Sequence, residues 1–233
     1  VNLFYDLHIH TCLSPCGDDE MTPNNIVNMA FIKGLDVIAV TDHNSAGNVE
    51  VVDFLAKKLG ILLIPGMEIQ TKEEVHVLCY FPSIKNIKLF EAELARYKTN
   101  IKNNAKIFGN QWLMDAEDQV IEEVDIALMM SINISLEDLK KMVIQFGGTI
   151  VPAHVNKSSN SIIVNLGFIP SELNVHTVEI HEKSPLNENL LSGFKSIFNS
   201  DAHYLKDIHE PIHSFELETK SCEAVIDYLA GKV

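Results

Sequence analysis

The chain has 233 residues, 46% of them hydrophobic and 21% charged, and its 18 Lys+Arg against 32 Asp+Glu give a formal net charge of −14. That profile excludes a disordered chain and suffices to bury a substantial core, as one large domain or two small ones. No apolar run reaches the roughly 18 residues a membrane span needs, no basic-then-apolar leader opens the chain, and four cysteines are too few for a disulfide scaffold, so a cytosolic protein with no membrane partner is expected.

Short apolar, β-branched runs alternate with helical stretches. Leu3 to Ile9 reads as a strand, and Asn24 to Lys33 as a helix opened by a Thr22 cap followed by Pro23. Asp36 to Val40 is a second strand, followed by a helix over Val49 to Leu59 that Gly60 ends. Ile61 to Ile64 and Val75 to Phe81 are the third and fourth strands. Residues 83–146 break this rhythm: Leu89 to Asn104 and Ser135 to Gln145 read as helical or irregular, with no convincing buried strand. The segment is read as a mainly helical insertion, either a long connector or a cap over the substrate. Thr149 to Pro152, His176 to Ile180 and Ser196 to Asn199 supply three more strands, and Cys222 to Leu229 closes the chain as a helix. Alternation of this kind predicts an α/β fold built from parallel βαβ units, closed or nearly closed into a barrel, with residues 1–233 forming a single domain.

Imidazoles and carboxylates fall at the ends of these strands: His8 and His10, Asp42 and His43, Glu68, His76, His154, Glu179 and His181, then Asp201 and His203. The C-terminal rim of a parallel barrel is where active sites assemble. His8 and His10, at i and i+2 on an extended strand, point to one face and can reach one metal, and Asp201 with His203 repeats that spacing. Imidazoles mixed with carboxylates suit zinc, manganese or iron, whereas thiolates would mark a structural zinc site. The acidic balance disfavours a broad electrostatic footprint on nucleic acid, so no extended nucleic-acid binding is expected. A small anionic substrate remains compatible with it, because bound cations reverse the local sign.

Asp6-Leu7-His8-Ile9-His10-Thr11, Thr41-Asp42-His43, Pro65-Gly66-Met67-Glu68-Ile69, Pro152-Ala153-His154 and Ser200-Asp201-Ala202-His203, in that order, resemble the polymerase-and-histidinol-phosphatase (PHP) superfamily of metal-dependent phosphoesterases. The resemblance implies a distorted seven-stranded, TIM-like (β/α) barrel whose rim holds two or three divalent ions, with Mn, Zn or Fe all open. Carried over by position, His8, His10, Glu68 and Asp201 would hold the first ion. Glu68 would bridge to a second, completed by His76 and His154. His43, His203 and a residue between His10 and Pro23 would hold a third. Counting back from Pro23 selects Asp18, with Asp19 the next candidate, in a loop enlarged relative to many members.

The resemblance further implies an attacking metal-bound water held by Glu68 and Asp201. Asp6 and Asp42 could orient ligand imidazoles or cap strand ends. Lys157, with Ser158 among its hydrogen-bonding neighbours, could grip phosphate or stand as a solvated loop lysine. His181 reads as pocket wall or proton donor. Cys12 and Cys16 read as loop-packing residues or as oxidation-sensitive control of the site, and Trp112 as an anchor or a stacking platform. The expected activity is hydrolysis of a small phosphomonoester, a nucleotide phosphate being favoured. Exonucleolytic phosphodiester cleavage and a non-catalytic metal-bound module are the alternatives, and the sequence leaves the oligomeric state open.

Overall fold

The computed structural model describes residues 1–185 and 191–232. Local chemistry sets most element boundaries. Thr22 accepts the amide of Asn25 and Pro23 occupies the first turn of α1 (Pro23–Lys33), which closes on Gly34 at φ 76°. Ser83, Ser135, Ser161 and Ser221 cap α3 (Ile84–Leu94), α5 (Leu136–Gln145), α6 (Ile162–Leu166) and α7 (Cys222–Leu229) in the same way, each side-chain oxygen satisfying an amide that the first turn leaves free. Among the described residues the remaining α-helices are α2 (Val49–Lys58) and the single turn α4 (Ala105–Phe108).

β1 (Asn2–Ile9) pairs in parallel with β2 (Val37–Val40), which pairs in parallel with β3 (Leu62–Leu63), while β11 (Ser214–Glu216) lies antiparallel on the outer edge of β1. β4 (Gly66–Gln70), β5 (His76–Tyr80) and β8 (Thr149–Pro152) form an antiparallel sheet. β9 (Thr177–Ile180) and β10 (Lys195–Phe198) run parallel. The expectation of a uniformly parallel barrel is therefore corrected: among the described residues there are four separate sheets and no closed barrel. β4 and β5 are joined only by residues 71–75, closed by the Thr71 amide on the Val75 carbonyl at 3.0 Å, which is too short for a crossover and forces the antiparallel return.

The sheets meet at one end instead. Isolated bridges join Ile9 to Ala202 and His43 to Glu68, and the Val155 amide donates to the Glu179 carbonyl at 2.9 Å. Every one of these stitches lies beside a predicted ligand. The register of β1 against β2 also shifts between Asp6 and Ile9, where His8 sits. Such an irregularity re-aims side chains without ending the strand.

Strands buried on both faces explain the continuous apolar runs. Leu3, Tyr5 and Leu7 pack into one cluster with Val37, Ala39, Leu78, Val151 and Ile197. Ile9, Ile38 and Val40 face a second, larger one beneath α1, α2, α3 and α5. At about 1.5–3 kcal/mol for each large aliphatic side chain removed from water, these layers hold a polar centre that gains little from burial itself.

Segment 83–146 is less helical than expected. The predicted helix over 89–104 stops at Leu94 and tightens into one 3₁₀ turn, Ala95–Tyr97. Beyond α4 comes a hairpin, β6 (Trp112–Met114) against β7 (Val120–Glu123), whose second strand is exposed throughout. Its backbone is fastened to the loop after β1: the Trp112 amide donates to the Cys12 carbonyl at 3.0 Å, and Asn48 Nδ2 donates to the Trp112 carbonyl at 3.0 Å.

Candidate metal centre

The Glu68 carboxylate stands at the centre of the site, 1% exposed on β4. Around it lie His76 Nδ1 at 2.8 Å, His43 Nδ1 at 3.1 Å, His154 Nε2 at 3.3 Å, His10 Nε2 at 3.4 Å and His8 Nε2 at 3.5 Å. Asp201 Oδ1 lies 3.2 Å from both His8 Nε2 and His10 Nε2. His203 Nδ1 meets the Asp201 carbonyl at 2.8 Å. The structure thus brings together His8, His10, His43, Glu68, His76, His154, Asp201 and His203.

The outer nitrogens of the paired histidines have fixed partners. His8 Nδ1 lies 2.9 and 3.0 Å from the two oxygens of Glu179. An ionised carboxylate only accepts, so the Nδ1 proton is held there and Nε2 is the nitrogen that faces the centre. His10 Nδ1 meets Ser14 Oγ at 3.0 Å, and Ser14 donates onward to Asp42 Oδ1 at 2.7 Å. His10 is thereby set in the same tautomer. Partners of this kind orient metal-ligating imidazoles.

These positions have a backbone cost. His154 and Asp201 carry positive φ, 29° and 50°, in the region that side chains other than glycine avoid. Strain of about 1–3 kcal/mol per residue at such positions is characteristic of functional sites.

Burial opposes ionisation of Glu68, but His76, His8 and His43 outweigh it and hold the carboxyl well below the usual range. Asp201 is likewise held down against burial by His8 and His10. His8 is pushed well above the usual imidazole range: burial works against its charge, and Glu179, Asp201 and Glu68 overcome it. His43 is depressed by burial, and burial brings His203 down to about 4. A cation entering this cluster would meet neutral His43 and His203 and ionised Glu68 and Asp201, and would displace a proton from His8.

The donor set fits divalent metal. Both oxygens of Glu68, both ring nitrogens of His76, His43 Nδ1 and His154 Nδ1 are buried without a hydrogen-bond partner among the described residues. Orphaned polar atoms on this scale are costly unless something ligates them. Three-donor groups with atoms within 4.8 Å of one another form at His8, His10 and Asp201, at His10, His43 and Glu68, at Glu68, His76 and His154, and at His10, Cys16 and His203.

Asp18 is the ligand expectation that the geometry does not meet. It belongs to none of these donor groups, and its Oδ1 accepts the Glu20 amide at 3.0 Å in an Asx-type turn. Asp19, the other candidate, is exposed and takes the Asn110 side-chain amide at 2.9 Å. Asp6 caps backbone, accepting the amides of Ser200 at 3.1 Å and His209 at 3.0 Å, whereas Asp42 reaches His10 through Ser14. Lys157 lines the pocket and pairs with Asp201 Oδ2. Ser158 is exposed and outside the pocket lining, where Ser159 and Asn160 stand instead. His181 lines a neighbouring pocket that shares Asp201, its Nδ1 on Ser184 Oγ at 2.9 Å.

Glu179 and Ser14 carry second-layer contacts that sequence reasoning left unassigned. The i, i+2 spacing of Glu179 and His181 at a strand end was the available signal for the first. Asn160 and Met129 also line the cavity, of about 180 Å³, above the cluster. Among the described residues no helix is long and apolar enough to cross a membrane.

Comparison with known proteins agrees with this geometry. A 5'-3' exoribonuclease of Haemophilus influenzae is 35% identical over 77 residues, which cover 32% of this chain and only 27% of that protein. Endonuclease Q of Pyrococcus furiosus superposes with a TM-score of 0.67 at 19% identity, covering 99% of this chain and 56% of that one. A protein of Bifidobacterium adolescentis assigned as a metal-dependent phosphoesterase superposes with a TM-score of 0.64 at 18% identity, covering 97% and 94%. At these identities the structures show a shared fold. Endonuclease Q has also been solved with a 27-mer duplex bearing an abasic lesion at its active site. That complex conflicts with the expectation, drawn from net charge, of no extended nucleic-acid binding, because such contact depends on local rather than overall charge. The PHP domain model matches residues 6–150, more than half of the chain. The paired histidines, the Thr-Asp-His turn and the central glutamate all fall within that match, and the chain belongs to the PHP domain family.

Proposed function

We propose that the protein is a metal-dependent phosphoesterase that hydrolyses a small phosphorylated substrate, a nucleotide phosphate being the favoured class. The observation that carries this reading is the convergence of six imidazoles and two carboxylates beneath one pocket, with the ammonium of Lys157 on its wall. Two or three divalent ions (Mn, Zn or Fe), when bound, would neutralise phosphoryl oxygens and supply an activated water. His8, His10, Glu68 and Asp201 would hold one, Glu68 with His76 and His154 a second, and His43 with His203 a third. Glu68 and Asp201 would also hold the attacking water in place.

Lys157 already pairs with a carboxylate oxygen, and exchanging that partner for a phosphoryl oxygen grips the substrate at little desolvation cost. His181, its pKa lowered by burial and by Lys157, stays neutral at pH 7 and serves as a wall of the adjoining pocket. Segment 83–146 acts as a cap within a single domain. Met129 lines the pocket, and Asn44 Nδ2 pins that stretch through the carbonyls of Leu128 at 2.6 Å and Met130 at 2.9 Å.

A second reading, exonucleolytic cleavage of a nucleotide chain, is favoured by the similarity to the exoribonuclease. Phosphate release by manganese-reconstituted protein separates the two, using nucleotide mono- and bisphosphates, histidinol phosphate and a short oligonucleotide, with His10→Ala as control. Release from one small ester, lost in the variant, is the expected result. Silence on the small esters with shortening of the oligonucleotide replaces the first reading by the second. Silence on both, with metals bound, removes catalysis.

A further inference from the structure

We propose that the thiolate of Cys16, rather than the carboxylate of Asp18 or Asp19, is the loop ligand of the third metal position, beside His203. The inference rests on the metal-centre reading above and concerns which side chain completes it.

Backbone hydrogen bonds fix the loop after β1. Ser14 donates to the Thr11 carbonyl at 3.1 Å, Gly17 to Ser14 at 2.9 Å, Cys12 to Met21 at 2.9 Å and Asp18 to His203 at 2.9 Å. The turn closes so tightly after Cys16 that a Cβ on residue 17 would stand 2.6 Å from the Thr11 carbonyl oxygen, leaving room for glycine alone. The result places Cys16 on the pocket wall with His10, His43, Glu68, Asp201 and His203. Its sulfur, His203 and His10 offer donor atoms within 4.8 Å of one another.

Asp18 meets His203 through its backbone amide, while its carboxylate Oδ1 accepts the Glu20 amide. The other three cysteines each place their sulfur on a carbonyl: Cys12 on Trp112, Cys79 on Val77 and Cys222 on Leu63. Cys16 has no such partner among the described residues. On the same pocket wall, His43 is 6% exposed, and its Nδ1, 3.1 Å from Glu68 Oε2, has no hydrogen-bond partner among the described residues.

A cation bound here would release the thiol proton to solvent as the metal–sulfur bond forms. Sulfur with imidazole favours zinc, iron or cobalt over manganese. The third position would therefore differ in metal preference from the two built on Glu68 and Asp201.

Cobalt(II) substitution reads this directly, because a cobalt–thiolate bond gives an intense near-ultraviolet charge-transfer absorption that imidazole and carboxylate ligands do not. The wild-type protein should show that band. It should also bind one cobalt more per chain than Cys16→Ser, which loses the band, while Asp18→Asn keeps both. Metal should in addition protect Cys16 of the wild-type protein from alkylation, mapped by peptide mass spectrometry, a measurement independent of how the variant folds. Cobalt bound without the band, a band that survives in Cys16→Ser, or full alkylation of Cys16 in the metal-loaded protein would overturn the thiolate assignment while leaving the metal centre intact. Failure of the wild type to bind cobalt at all would overturn both.

Discussion

Replacing Glu179 by glutamine isolates the orientation of His8 from the metal ligands themselves. Oε1 of Glu179 lies 2.9 Å from His8 Nδ1 and 2.7 Å from Asn199 Nδ2, and Oε2 accepts the His154 amide at 2.8 Å and faces His8 Nδ1 at 3.0 Å. A glutamine offers one oxygen and one NH₂, so either the Asn199 amide or the His154 N–H must face a second donor. Asn199 cannot turn over to relieve it, since its own Oδ1 accepts the Leu7 amide at 2.9 Å.

One orphaned buried donor costs about 1–3 kcal/mol. Converting the charge-assisted bond to His8 into a neutral one, roughly half as strong, adds about 1 kcal/mol. The sum, about 2–4 kcal/mol, is a large share of the roughly 5–15 kcal/mol that stabilises an ordinary domain. Metal affinity at the His8 end should fall about 10–100-fold, the usual effect of removing such an outer partner. Urea denaturation of the metal-free wild type and Glu179→Gln, with calorimetric metal titration of both, tests the two numbers separately. Equal denaturation midpoints together with equal affinities would refute the argument that this carboxylate sets the ring. A loss of stability alone would reduce Glu179 to a structural hydrogen-bond acceptor.

Two further outcomes follow from the same network. Asp42 accepts the Thr11 amide at 2.8 Å, the Thr11 hydroxyl at 2.7 Å and the Ser14 hydroxyl at 2.7 Å, so Asp42→Asn should cost about 1–3 kcal/mol by setting one NH₂ against a hydroxyl already receiving the Asn48 amide. Thermal melts should show it, and an unchanged midpoint would mean that the loop is held elsewhere. His203 titrates near 6.5 when exposed but at about 4 in the fold because of burial, so between those values the unfolded chain binds more protons. Its contribution is present above pH 6.5 and is lost as pH falls toward about 4. In the metal-free protein it amounts to about 3 kcal/mol. His203→Gln should flatten that part of the stability profile, and identical slopes for variant and wild type in urea melts across it would contradict the assignment.

Particular residues show where sequence and tertiary structure divide the work. The Thr22-Pro23 start of α1, the Cys222–Leu229 span of α7 and the placement of His8 and His10 at the end of the first strand were legible in the sequence, because capping, proline geometry and side-chain alternation act over a few residues. So was the donor type, imidazoles mixed with carboxylates, which recur near the ends of the predicted strands. The antiparallel return of β4 and β5 was less legible: it depends on the short 71–75 turn winning over the βαβ rhythm that surrounds it. The β6–β7 hairpin, with one strand wholly exposed, carries no buried pattern to read, and it is held by distant backbone contacts with Cys12 and Asn48. The loop after His10 shows the division most clearly. A count of positions chose a carboxylate there, but the direction of each side chain depends on which backbone groups the loop must satisfy. Glu20 takes the Asp18 carboxylate, and the tight turn at Gly17 leaves Cys16 facing the imidazoles. Composition and spacing determined that this chain gathers imidazoles and carboxylates; only the folded loop, through hydrogen bonds between residues distant in sequence, decided which donors point inward.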